Sequence, residues 1–145
     1  MDKPKFSAAK IASLHIAYRQ AVYEIYRDRQ IIKLYIGKYN LQLEHLLNNY
    51  NAKTWSLITA FNPYSQCLSQ AENLQRHQEL IEYLQPLPFT IFDACGKDKR
   101  GDWIPEQSLF IMGINFRQAR EIGRKFEQNA IVCGKLGKPA QLQWL

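Results

Sequence analysis

Hydrophobic positions recur along the chain with two spacings, one typical of helices and one typical of strands. After Ser7, the residues Ile11, Leu14 and Tyr18 follow helical spacing, which predicts an N-terminal helix from Phe6 to about Arg19. The runs "AVYEIY" and "IIKLYIG" then alternate around "RDRQ". This pattern predicts a β-hairpin, because alternate residues of a strand lie on the same face.

A second helix and a buried strand are predicted next. Asn40 can cap a short helix, because its side-chain oxygen can accept from the free N–H groups of the first turn. Four apolar residues would form the buried stripe of this helix: Leu43, Leu46, Leu47 and Tyr50. The run "TWSLITAF" follows, and its continuous apolar character indicates a strand covered on both faces.

The third helix carries the clearest start and stop signals. Ser69 and Glu72 have the spacing of a capping box, and Pro86 removes a backbone donor where the helix should end. These signals predict a helix from Gln70 to Leu84 with Leu74, Ile81 and Leu84 on its buried stripe.

The remaining runs complete the predicted order of elements. "FTIFDA", "SLFIMGI", "AIVCG" and "QLQWL" are typical of strands, and Asn115 can cap a helix that buries Ala119, Ile122 and Phe126. The order is α-β-β-α-β-α-β-β-α-β-β. It predicts an α/β or α+β fold, a single layered domain over residues 1–145 with a mixed sheet of about six to seven strands and three to four helices. Residues 1–19 would form a helical extension of this domain.

Composition supports a packed globular chain and limits the chemistry. Of the 145 residues, 46% are hydrophobic and 22% are charged, close to the average for folded soluble proteins. No apolar run approaches the roughly 20 residues that cross a bilayer. The first twenty residues also lack the sustained hydrophobic region of a signal peptide, so we expect a cytoplasmic protein. Three widely spaced cysteines predict free thiols rather than disulfides. The histidines lack ligand spacing, and nucleotide-binding glycine motifs are absent, so no metal or cofactor is expected.

Polar residues gather where the "TWSLITAF" strand enters the third helix. Asn62, Ser65, Glu72, Asn73 and Arg76 lie in this junction. One interpretation is local, because Asn and Ser form turns and Glu72 can cap the helix. The other is a ligand site, because the N–H groups at a helix start attract anions and Arg76 adds a fixed cation. The sequence leaves both interpretations open.

The junction also belongs to a longer pattern of motifs. The runs "TAFNPYS", "LSQAENLQR", "WIPEQSLFIMG" and "FEQNA" occur in this order, and together they resemble a bacterial family of domains of unknown function, family number 3293. The resemblance covers about residues 20–145. Glu127 departs from it, because glycine is usual there. The matching positions are Thr59, Ala60, Asn62, Pro63, Ser65, Leu68, Ser69, Glu72, Asn73, Arg76, Trp103, Glu106, Ser108, Gly113, Phe126, Gln128, Asn129 and Ala130.

The resemblance implies a set of positions and no reaction. It adds Thr59, Trp103, Ser108, Gln128 and Asn129 to the candidate ligand-binding residues Asn62, Ser65, Asn73 and Arg76. We therefore predict a binding domain for an anionic or polar ligand, either a phosphate-containing small molecule or nucleic acid, at the junction of residues 62–76.

Two alternatives remain beside this prediction. A small hydrolase or transferase would use Glu72 or Glu106 as acid or base, with Arg76 stabilising negative charge. The net charge of +6 also leaves nucleic acid as a partner. The basic side chains of Arg117, Arg120 and Arg124 and stacking by Trp103 would then make the contacts.

Overall fold

The computed structural model describes residues 2–145; Met1, the first residue of the predicted N-terminal extension, lies outside them. The helices are α1 (Ala8–Gln20), α2 (Leu41–Asn49), α3 (Gln70–Leu84) and α4 (Phe116–Lys125). The strands are β1 (Val22–Arg27), β2 (Gln30–Leu34), β3 (Thr54–Thr59), β4 (Thr90–Lys97), β5 (Glu106–Met112), β6 (Ala130–Lys135) and β7 (Gln141–Trp144). Their order along the chain confirms the predicted one, and none of these helices is both long and apolar enough to cross a membrane.

All seven strands form one curled sheet, in the spatial order β2-β1-β4-β5-β3-β6-β7. The predicted layered fold of strands and helices is confirmed. The predicted mixture of strand directions is wrong, because every pair of neighbouring strands is antiparallel.

Interleaved connections explain the uniform direction. Helix α3 joins β3 to β4, which run the same way but lie on either side of β5. Helix α4 likewise joins β5 to β6, which lie on either side of β3. Each strand-helix-strand unit is therefore split by a strand of the other unit, so its two strands never pair directly.

The two faces of the sheet carry separate hydrophobic clusters. On the α3–α4 face, Leu80, Leu84 and Ile122 of the helices pack against Ile58, Leu109, Ile111 and Ile131 of the strands. On the α2 face, Leu43, Leu46 and Leu47 pack against Tyr23, Ile25, Trp55, Leu57 and Phe110. Helices cover less of the α2 face than of the α3–α4 face. The cavity described below lies at the end of the α2 face that α2 leaves uncovered.

The helix caps agree with the sequence, whereas parts of the predicted stripes are wrong. Ser7, Asn40, Ser69 and Asn115 each accept a hydrogen bond from the first turn of the helix that follows. Three predicted stripe residues are largely exposed instead, namely Ile11, Tyr50 and Leu74. In α3 the buried positions are Asn73, Leu80 and Leu84, so a polar side chain occupies the inner face of its first turns.

A buried carboxylate fixes α2 to the turn between β6 and β7. Glu44 is buried, and its two carboxylate oxygens accept from the backbone N–H of Gly137 at 2.8 and 2.9 Å. Glu44→Ala should lower the free energy of unfolding by about 1 to 3 kcal/mol, because the N–H of Gly137 loses a charged acceptor. Urea titration measures this loss. Gln42→Ala, an exposed position of the same helix, is the matched control; equal stability of the two variants would contradict the tether.

Candidate functional site

A partly enclosed cavity of about 60 Å³ lies on the α2 face, where β3 and β5 approach the segment that leads into β6. It is lined by Glu106 and by seven of the predicted ligand-binding residues: Thr59, Asn62, Ser65, Trp103, Ser108, Gln128 and Asn129. Residues from separate motifs therefore converge at one place. Three of the predicted site residues lie outside this cavity: Glu72, Asn73 and Arg76.

Glu106 is the one carboxylate among the residues that line the cavity, within the described residues 2–145. It begins β5, and its Oε2 accepts from Asn62 Nδ2 at 3.1 Å. Burial raises the pKa of Glu106 to about 7, although the hydrogen bond from Asn62 favours the charged form. The carboxyl group can therefore hold or release a proton near neutral pH.

The loop after β3, which carries Asn62 and Ser65, has a strained backbone. Asn62, Tyr64 and Ser65 have φ angles of 47°, 51° and 61°, in the left-handed region that side chains rarely adopt. Tyr64 N donates to Glu127 O at 2.7 Å, and Glu127 itself has a φ of 58°, which explains why glycine suits that position. Strain of this kind persists where surrounding contacts hold it, and it is concentrated at functional sites.

Hydrogen bonds from Leu68 and Asn73, which follow it in the chain, hold Asn62. Its backbone N–H donates to Asn73 Oδ1 at 2.8 Å, and its Oδ1 accepts from Asn73 Nδ2 at 2.9 Å and from Leu68 N at 3.1 Å. Asn62 Nδ2 is thereby directed at Glu106. Asn73 is a positioning residue that fixes Asn62 rather than a cavity residue.

Helix α1 contributes an aromatic wall to the cavity. The Tyr18 hydroxyl makes a short hydrogen bond with Ser65 Oγ, and Asn129 Nδ2 donates to both groups at 3.3 and 3.0 Å. The Tyr23 hydroxyl donates to the Tyr18 carbonyl oxygen at 2.7 Å. Although α1 has no buried residue, these bonds place its last turn against the cavity.

The start of α3 does not form the open anion site that the junction suggested. Ser69 Oγ accepts from Glu72 N at 3.2 Å, and Glu72 Oε1 accepts from Ser69 N at 3.3 Å. The Glu72 carboxylate thus lies at the helix start where an anion would have bound, and the capping box engages the N–H groups of Ser69 and Glu72. Glu72 is exposed and acts as a cap, so the local interpretation is correct for this residue.

Arg76 is bound to the protein rather than directed at a ligand. Its Nε donates to Ala60 O and its Nη2 to Phe126 O, each at 2.6 Å, and its Nη1 lies 3.3 Å from Glu127 Oε1. The guanidinium group thus joins the end of β3 to the end of α4. These bonds do not bring Arg76 together with Glu72 or Glu106, the residues predicted to act as acid or base beside it.

Tyr18, Tyr23 and Gly96 also line the cavity and were not predicted. Tyr18 belonged to the predicted stripe of the N-terminal helix and Tyr23 to a strand face, so their spacing indicated packing alone. Gly96 lines the cavity because β4 extends to Lys97, beyond the predicted strand "FTIFDA". Only the pairing of β1 with β4, which sets Tyr23 opposite Gly96, could have indicated that these two residues lie together.

Other candidate chemistry is sparse within residues 2–145. No group of three or more His, Cys, Asp and Glu side chains is placed to hold a metal ion. Cys67, Cys95 and Cys133 are free, and the first is exposed whereas the other two are buried. Burial raises the pKa of Cys95 and of Cys133, which makes both thiols poor nucleophiles.

The fold and site define an α+β domain with an antiparallel sheet and a polar cavity at one end of it. Residues 58–131, about half of the chain, match the family described as "Protein of unknown function (DUF3293)", and the chain belongs to this family. The matched span runs from β3 into β6, so it includes Glu106 and Asn62 but neither α1 nor the β1–β2 hairpin. No curated protein and no solved structure matches the chain.

Proposed function

We propose that this protein binds a small polar molecule in the cavity at Glu106. The convergence of Glu106 with amide and hydroxyl side chains from three separate motifs carries the proposal. Most of these polar groups pair within the protein, but Asn129 Oδ1 is buried without a hydrogen-bond partner, and an unpaired buried polar group is costly. A ligand that pairs with this group accounts for its presence.

Of the two ligand types predicted from the sequence, anionic and polar, this proposal retains only the polar ligand. Within residues 2–145, no lysine, arginine or histidine lines the cavity, and the carboxylate of Glu72 caps the start of α3. Nucleic acid is a weaker proposal. Trp103, the predicted stacking residue, is half-buried and packs against the α2-face cluster, while Arg117 pairs with Glu121.

A second candidate function is proton transfer within the same cavity. Its support is the carboxyl group of Glu106, whose pKa of about 7 suits a general acid or base at neutral pH. Glu106 would act without Glu72 or Arg76, which are engaged elsewhere. Such an enzyme would first have to bind its substrate here, so the binding proposal underlies both candidates.

The experiment is a fragment screen by ¹H–¹⁵N correlation spectroscopy on the labelled full chain. Side-chain amides of Asn62, Gln128 and Asn129 report directly on the cavity, and those of the exposed Asn48 and Asn49 on α2 serve as internal controls. We expect some polar fragments of up to about six heavy atoms to shift the first three signals and leave the control signals unchanged.

Gly96→Ala is the matched variant for this screen. A β-carbon at Gly96 would lie 3.5 Å from Tyr23 Cε1 and 3.9 Å from Trp103 Cη2, which is ordinary contact. The variant should fold and reduce the cavity, so the fragment shifts should weaken. Equal shifts in both proteins, or no shift of the cavity amides by any fragment, would overturn the binding proposal.

We also propose a cytoplasmic location. The three free cysteines support a reducing compartment, because thiols in an oxidising one are usually paired.

A further inference from the structure

We infer that the ligand of this cavity is a small cation that donates hydrogen bonds, such as the ammonium head group of a primary amine. The inference rests on the proposed binding function and names its ligand class. It follows from which hydrogen-bonding groups of the cavity are already in use and which are left.

The donors that line the cavity are largely consumed within the protein. The hydroxyls of Thr59, Ser108 and Tyr23 donate to the carbonyl oxygens of Gln107, Glu106 and Tyr18. Gln128 Nε2 donates to two carbonyl oxygens, those of Phe61 and Phe126, each at 3.1 Å. An anion entering the cavity would therefore find few N–H or O–H groups to solvate it.

Asn62 and Asn129 complete this pattern. Asn62 Nδ2 donates to Glu106, and Asn129 Nδ2 donates to the hydroxyls of Tyr18 and Ser65. Both amides thus direct their donors at protein oxygens, and this arrangement leaves acceptors for a ligand.

Acceptors remain for a ligand. Asn129 is 3% exposed, and its Oδ1 is buried without a hydrogen-bond partner. Glu106 accepts from Asn62 through Oε2 alone, so its Oε1 is a further acceptor. A buried acceptor without a partner is costly, and a ligand that donates a hydrogen bond to it would recover that cost.

The rest of the lining also favours a cation. Tyr18, Tyr23 and Trp103 supply aromatic rings, and ring faces attract ammonium groups. No basic side chain among residues 2–145 lines the cavity to oppose a cation.

The size of the cavity limits what can enter it. A volume of about 60 Å³ is several times the roughly 10 to 15 Å³ that one water molecule needs. A head group of a few heavy atoms fits, and the remainder of a larger ligand would extend past the rim.

The test compares probes of similar size and different charge on the full chain: methylammonium, guanidinium, methanol and formate. Each is titrated at constant ionic strength while the side-chain amide signals of Asn62, Gln128 and Asn129 are recorded. We expect methylammonium or guanidinium to shift these signals at concentrations at which methanol and formate do not. In Glu106→Gln, which keeps the shape and removes the charge, the affinity for the cations should fall at least about tenfold.

The affinity of the cation should also rise about tenfold from pH 6 to pH 8, as the carboxyl group ionises through its pKa of about 7. The other titratable groups near Glu106 are the phenols of Tyr18 and Tyr23 and the thiol of Cys95; burial raises the pKa of both Tyr23 and Cys95, away from this range.

Each remaining outcome contradicts a defined part of the proposals. Shifts caused by methanol or formate without any caused by the cations would overturn the cationic ligand and leave a polar binding site in place. Cation shifts that are unchanged in Glu106→Gln and at either pH would overturn the role of Glu106. No shift with these probes or with the larger fragments would overturn the inference together with the proposed function.

Discussion

Arg76→Ala should lower the free energy of unfolding by about 3 kcal/mol, because it leaves two inward-facing carbonyl oxygens without their charged donor. These oxygens belong to Ala60 at the end of β3 and Phe126 at the end of α4, and each accepts from the guanidinium at 2.6 Å. The Arg76 side chain is only 19% exposed, so water cannot easily replace it. Urea denaturation of the wild-type and variant proteins measures the loss.

Arg117→Ala is the matched control for this variant. Arg117 is 90% exposed and pairs with Glu121 one helical turn away at 3.4 Å, an arrangement worth about 0.3 to 0.5 kcal/mol. Arg76→Lys should be intermediate, because lysine keeps the charge but lacks the planar fork that reaches both carbonyls. If Arg76→Ala were as stable as Arg117→Ala, the guanidinium would not be a structural clamp, and the anion site would be the better interpretation.

The local signals of the sequence predicted α3 within its observed bounds. Ser69 and Glu72 fix its start, and the prolines that follow prevent its continuation. These signals act within a few residues, so they can be read from the chain directly. The same is true of Asn40 and Asn115, which cap the helices expected of them.

The role of Arg76 could not be predicted in the same way. Its carbonyl partners lie 16 and 50 residues away in the chain, and no spacing rule brings them together. The cluster of polar residues after β3 does indicate the region of the cavity, but its members have two different roles. Asn62 and Ser65 line the cavity, whereas Asn73 and Arg76 hold the loop that positions them.

The strand directions show the same limit. A helix between two strands favours a parallel pair, and β3 and β4 do run in the same direction. The insertion of β5 between them is a long-range event that leaves the pattern of each strand unchanged. The position of Tyr18 beside Asn129, 111 residues further along the chain, is likewise a product of the whole fold.

The contribution of Glu106 to the free energy of unfolding should fall by about 2 to 3 kcal/mol as the pH rises from about 4.5 to 7. Burial raises the pKa of Glu106 from 4.5 in the unfolded chain to about 7 in the folded one. Between these values the folded state keeps a proton that the unfolded state has lost. The stabilisation is therefore complete below pH 4.5 and disappears as the pH passes 7.

Glu106→Gln should remove this component, because glutamine cannot ionise and can still accept from Asn62. The variant should thus be more stable than the wild-type protein at pH 8 and close to it at pH 4.5, as measured by urea denaturation at several pH values. Glu79→Gln, on the exposed face of α3, should leave the pH profile unchanged. If Glu106→Gln is more stable than the wild-type protein at pH 8 and also loses cation binding, the carboxyl group serves ligand binding and lowers the stability of the fold. A Glu106→Gln profile parallel to that of the wild-type protein would show that the carboxyl group ionises normally, and the pH dependence expected of ligand binding would then be lost as well.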